Sequence, residues 1–327
     1  LENQLALFEQ TRLQKLESES TRRIQVARTE FREGQFGKAR TSLAEMLVMI
    51  GDEESLAEVR TEADTLLIRI ETAITQQSEI EATQKIFEQF QVLADEARAR
   101  GSMPGSANQR EDAQIALATA VKTLKLFGLD QHQAFGNPPD WFDEDLPWVI
   151  EFQQRTGKLP LAKLRNDSFE LMILLADLEL FLAKDGTQNQ IQAAANRGLD
   201  WVNLAKETGA VSPVPYIWEE ACLRSLGDDK AADRALEEAE KITPTTALDF
   251  FLLGEADRKA GRYENALDSY LNVVRIDGGH YWTQHCMGLC YLKLGVYHAA
   301  VSAFSNASSL RQNYAWPIML RGVAHGR

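Results

Sequence analysis

The stretch Thr243–Leu310, TPTTALDFFLLGEADRKAGRYENALDSYLNVVRIDGGHYWTQHCMGLCYLKLGVYHAAVSAFSNASSL, decides how this chain is read. Glycines stand at Gly254 and Gly288, and the same step of 34 reaches Gly322. Three further columns keep that step: Gly227, Gly261 and Gly295; Ala232, Ala266 and Ala300; and Leu236, Tyr270 and Phe304. Between these markers, helix formers dominate and apolar residues recur at intervals of three and four, the spacing of one helix face.

Thirty-four residues is the period of the tetratricopeptide repeat, a pair of antiparallel helices A and B. Each column has a physical cause. A glycine early in helix A lets helix B approach closely. The glycine between the helices takes the left-handed conformation that ends helix A. The alanine sits at the tightest crossing, and the large residue four positions later fills the gap between the helices. Thr246 and Asp249 have capping-box spacing. The repeats are set at 213–246, 247–280, 281–314 and a partial one at 315–327. The first is degenerate, because Glu220 occupies the column of Gly254.

Outward from the array, the fold class is all-α, a tetratricopeptide-like α-solenoid of helical hairpins. Gly34, Phe36, Ala39 and Leu43 repeat the offsets of Gly261, Tyr263, Ala266 and Tyr270, so 10–50 reads as another hairpin. Separate helices are expected over 52–75, 79–100, 109–127, 167–184 and 188–207. The expected domains are a helical region at 1–130, a connector at 131–165 and the array at 166–327. The connector holds Trp141, Trp148, Phe135, Phe142 and Phe152; between a segment packed on the helices and a mobile flap, packing is the preferred reading because large aromatics are seldom exposed.

Composition excludes several functions. With 327 residues and a net charge of −13, the chain lacks the basic footprint of a nucleic-acid binder. Its most apolar run, Leu171–Ala183, is shorter than the ~20 residues of a spanning helix and is broken by Asp177 and Glu179. The charge is uneven: residues 281–327 contain no Asp or Glu and carry Lys293, Arg311, Arg321 and Arg327, so residues 1–280 carry −17. Such a basic edge suits an acidic partner, another copy's acidic body, or a following domain. The chain starts at Leu1 and reads as a piece of a longer protein or a trimmed form.

No catalytic motif stands out: no phosphate-cradling loop, no GxSxG elbow and no HExxH. His285, Cys286 and Cys290 share a helix, and only His280 and His298 could supplement them as ligands, so the cysteines are read as buried structural thiols. No metal and no cofactor is expected. The carboxylates Asp143–Asp145 and Asp228–Asp229 are read as solvated turns or helix starts. The sequons at Asn166 and Asn306 carry no weight. The best functional candidates are the groove-facing positions of helix A: Arg224; Leu248, Phe251, Glu255, Arg258 and Lys259; Trp282, His285, Leu289 and Lys293; Trp316 and Met319. Basic and aromatic residues together suit a protein or peptide with acidic groups. For Phe251, Trp282 and Trp316, packing between repeats is the open alternative, and assembly of copies is the open alternative to peptide binding.

Thr243–Asp277, followed by HYWTQHCMGLCYLKLG (His280–Gly295) and NYAWPIMLRGVAHG (Asn313–Gly326), resembles the C-terminal repeat region of planctomycete-type serine/threonine protein kinases. Upstream, FQVLADEARARG (Phe90–Gly101) followed by DAQIALATAVKTLKLFGLD (Asp112–Asp130) is similar to the helix pair preceding the repeats there. The resemblance covers 80–327 well and 1–79 loosely. It implies a non-catalytic interaction module of a bacterial kinase, cytoplasmic or tethered to the inner membrane through the parent protein. No glycine-rich strand-turn, HRD-type loop or DFG is present, so no catalytic residue carries over.

Overall fold

A computed structural model describes residues 2–101, 108–130, 161–312 and 314–327. Thirteen α-helices and no strand occur among these residues: α1 (Glu2–Arg32), α2 (Phe36–Ile50), α3 (Ala57–Gly101), α4 (Gln109–Lys125), α5 (Leu161–Ala183), α6 (Gln188–Glu207), α7 (Val214–Leu226), α8 (Asp229–Glu240), α9 (Ala247–Lys259), α10 (Tyr263–Ile276), α11 (Tyr281–Lys293), α12 (Tyr297–Leu310) and α13 (Ala315–His325). The chain forms two compact units, Leu1–Glu88 and Gln89–Arg327. The aromatic connector lies outside the described residues as far as residue 160.

In the first unit, α1 and α2 form the hairpin expected at 10–50, turning at Gly34 with φ 75°. Its core joins Ile24 and Ala27 of α1, Leu43 and Met46 of α2, and Leu66 and Ile70 of α3. Where two helices were expected at 52–75 and 79–100, there is one, α3. The intervening Thr75–Ser78 contains neither glycine nor proline, so nothing in it stops a helix.

In the second unit, α5 is the central helix, buried along most of its length through Phe169, Leu171, Met172, Leu175 and Leu178. A helix whose LMILLADLELFLA run is interrupted only by Asp177 and Glu179 has to be covered on more than one side. Helix α4 packs on it through Ala113 and Ala116. Then the hairpins follow in chain order, α7–α8, α9–α10 and α11–α12, with α13 against α12.

The repeat columns act as their chemistry requires. The turn glycines Gly227, Gly261 and Gly295 have φ of 83°, 79° and 75°, which costs a residue with a Cβ. A Cβ built on Gly254 would lie 2.5 Å from the Tyr270 ring, and one on Gly288 would lie 2.5 Å from the Phe304 ring. Both rings are fully buried. The degenerate repeat is the counterexample: with Glu220 in that column there is no seat, and Leu236 stays 40% exposed instead of filling a gap.

Helix starts follow local hydrogen bonding. Thr246 and Asp249 close a capping box, with the Asp249 N–H donating to Thr246 Oγ1 at 3.0 Å and the Thr246 N–H to Asp249 Oδ2 at 3.0 Å. Thr187 and Gln190 do the same for α6. Asp228, one of the paired carboxylates, caps α8 by accepting the Ala231 N–H at 3.0 Å. His280 caps α11 by accepting the Thr283 N–H at 3.2 Å through Nδ1.

Candidate functional site

Four of the predicted groove residues, Arg258, Lys259, Leu289 and Lys293, line one cleft of about 540 Å³ in the second unit. Its other walls come from outside the repeats: Arg100 and Gly101 at the end of α3, Gln109 and Ala113 on α4, and Asp177, Leu178, Leu180 and Phe181 on α5; Tyr263 of α10 completes it. The lining holds four cations and one anion.

Three of the four cations already have partners. Arg100 meets Glu96 at 3.1 Å and Asp112 at 3.4 Å. Lys259 Nζ donates to Asp177 Oδ2 at 2.5 Å. Arg258 holds Glu255 in a two-pronged contact, Nε to Oε1 at 2.8 Å and Nη2 to Oε2 at 2.6 Å, and Tyr270 Oη donates to the same carboxylate at 2.5 Å. Burial pushes the Glu255 carboxyl up, but the Arg258 guanidinium outweighs it and keeps the group well below the usual carboxylate range. This planar, bidentate geometry is the strong form of an ion pair. Lys293 is exposed and has no ion pair among the described residues.

The remaining candidates lie elsewhere. Arg224 is on the surface of its own hairpin, paired with Glu220 and with Asp233 at 2.9 Å. Phe251 is interior, its ring 6.1 Å from Tyr270 and 4.9 Å from His280, the cap of the next repeat. Trp282 is interior beside Tyr281 and Tyr314, at 4.9 and 6.2 Å. His285 is buried against Phe304 at 5.9 Å. Leu248 is half-buried, and Trp316 and Met319 are exposed on α13. Cys286 and Cys290 are buried, and burial raises both thiols, Cys290 to about 12.

A second charged cluster braces the unit. Arg98 is buried among Asp167 at 2.7 Å, Glu170 at 2.9 Å and Asp95 at 3.3 Å. Gln91 and Lys163 also donate to Asp167, at 2.7 and 2.9 Å. Arg311 reaches Asp95 at 2.8 Å while its guanidinium lies 4.8 Å from the Tyr281 ring centre and 5.7 Å from that of Tyr314. Sequence reasoning missed this cluster and the α4–α5 wall of the cleft. The adjacent acids and arginines of FQVLADEARARG were the only signal for it.

No protein-family model and no curated protein sequence matches the chain. Among solved structures it is similar to the MamA protein, with 16% identity over 70% of this chain and 94% of that one and a TM-score of 0.28. It is also similar to YrrB, described as a TPR protein with an unusual peptide-binding site, with 17% identity over 65% and 98% and a TM-score of 0.30. Yeast Tom70 shows 11% identity over 95% and 96% and a TM-score of 0.27. At such scores these likenesses add nothing to the chain's own geometry. No helix among the described residues is long and apolar enough to cross a membrane. The 34-residue register, its left-handed turns and its glycine-aromatic seats make the fold a tetratricopeptide-like array of helical hairpins.

Proposed function

We propose that this chain is a non-catalytic protein-interaction module that receives an acidic segment of a protein or peptide in the cleft between α4–α5 and helices α9 and α11. The observation that carries this reading is the cleft's lining of four cations against Asp177, with Lys293 left unpaired among the described residues. An exposed, uncompensated ammonium at the mouth of a cleft steers and then pairs with carboxylates. The test is binding of fluorescent acidic peptides to the chain and to Lys293→Glu, a change at an exposed side chain that breaks no ion pair among the described residues, with circular dichroism to compare the two folds. Roughly tenfold weaker binding by the variant is expected; equal binding sinks the reading.

The finer placement, as the repeat region of a planctomycete-type serine/threonine kinase that recruits substrates, is supported by the segment order from Phe90 to Gly326. A stand-alone scaffold is the alternative. The coding sequence upstream of Leu1 separates them: a kinase domain followed by a spanning segment supports the first, and its absence the second.

A further inference from the structure

The cleft lined by Arg258, Lys259 and Lys293 is also apolar over much of its lining. Ala113, Leu178 and Leu289 are buried there, and Leu180, Phe181 and Tyr263 are half-buried. Phe181 packs against Ala113, Ala116 and Leu178 and holds the Lys184 ammonium 4.4 Å from its ring centre, yet it still contributes to the cleft. Charged and apolar side chains share one spacing on two of the walls. On α11, Leu289 and Lys293 are four residues apart and both line the cleft. On α5, Asp177 and Phe181 repeat that spacing, and Asp177 is the residue that receives Lys259. Such pairs sit one turn apart on one helix face, with their Cβ atoms about 5–6 Å from each other. An extended chain advances about 3.3 Å per residue and sends alternate side chains to the same side, so its residues i and i+2 match that step, whereas i and i+1 point to opposite sides.

We propose, resting on the reading of this cleft as a receptor for acidic segments, that it takes an extended segment in which a carboxylate and a large apolar side chain stand two residues apart. The carboxylate pairs with Lys293, the one cation of the lining without an ion pair among the described residues. The apolar side chain enters beside Leu289 and Phe181. Charge alone would accept any acidic segment. The apolar lining adds the discrimination, as it does in pockets where a few placed polar groups fix the orientation of a largely apolar ligand.

Two labelled, end-capped peptides of identical composition test the spacing. In Leu-Ser-Glu-Ser-Leu the leucines stand two residues from the acid in both chain directions; in Ser-Leu-Glu-Leu-Ser they stand next to it. Each is titrated into the full chain by fluorescence anisotropy. The first peptide is expected to bind about tenfold more tightly, the worth of one buried leucine side chain. Phe181→Ala, with its fold compared by circular dichroism, should remove that preference and leave the second peptide's affinity unchanged. Lys293→Glu should weaken both peptides alike. Equal affinity of the parent chain for the two peptides, or tighter binding of the second, overturns the inference while leaving the acidic reading in place, and this comparison needs no variant to fold. A preference that survives in folded Phe181→Ala also overturns it. If neither peptide binds, the acidic reading fails and the inference falls with it.

Discussion

One substitution, glycine to alanine, made at three equivalent positions of the array, should have opposite signs. In an exposed helix the change gains about 1 kcal/mol, because alanine confines the unfolded chain and favours the helix. Gly322 offers that gain without opposition, since an added methyl meets open space. At Gly288 the new Cβ would lie 2.5 Å from Phe304 Cε1, with Cδ1 and Cζ at 2.7 Å, about 1 Å inside ordinary contact. The ring has no room to retreat, because Phe304 is fully buried between Leu289, Ala300 and Ala324. Overpacking of this kind costs about 1–3 kcal/mol, which offsets and then exceeds the propensity gain. Gly254 faces the same geometry with Tyr270, and its displacement would also disturb the hydroxyl that donates to Glu255. Urea unfolding followed by circular dichroism should therefore rank Gly322→Ala above the parent chain, with Gly288→Ala and Gly254→Ala below it. Phe304→Leu combined with Gly288→Ala should recover part of the loss, as coupled neighbours do. If Gly288→Ala proves as stable as Gly322→Ala, the close-approach account of the register is wrong.

Other expectations follow from the buried polar groups. Glu255→Gln keeps the shape but strips the charge that balances Arg258, and should cost about 3–5 kcal/mol in urea midpoint analysis. Replacing both partners with Glu255→Leu and Arg258→Met should be far milder than the single change, since no charge is then stranded. Burial lowers His280 and His285 to about 4, against about 6.5 in the unfolded chain. The unfolded state therefore binds protons first, so stability is complete above about pH 6.5 and falls as the pH drops toward 4, by roughly 1–3 kcal/mol per histidine. His280→Asn with His285→Gln should flatten the stability slope between about pH 7 and pH 5. Thr246→Ala removes the α9 cap and should cost about 1 kcal/mol, read as a lower thermal midpoint.

The array was legible in the chain because its defining contacts are short and repeat. A glycine facing a ring at van der Waals distance tolerates no other residue, so Gly254 with Tyr270 and Gly288 with Phe304 mark the register openly. The turn glycines did the same for the hairpin ends. The cleft was only half legible. Its Arg258, Lys259, Leu289 and Lys293 wall lies in register, but the opposing Asp177, Phe181 and Arg100 wall comes from helices with no periodic relation to the repeats. Register also does not report burial. Trp282 and Trp316 occupy one column, yet the first is interior and the second is 38% exposed, because α11 has hairpins on both sides and α13 packs on one. The single α3 was missed because amphipathic periodicity can shift phase without the helix stopping.

The contact between Arg311 and Asp95 joins residues 216 apart in the chain. In a stack of hairpins, each unit touches its neighbours only, and unfolding can begin at an end and spread inward one repeat at a time. A link of that span, braced by Arg98, Asp167 and Glu170, makes the fraying of the third repeat and the release of the α3 terminus one event. The second unit should then lose its amide protection as a block rather than in a gradient from α13 inward, and it should fold more slowly than nearest-neighbour stacking alone would allow, because the clasp forms only after a long loop has closed.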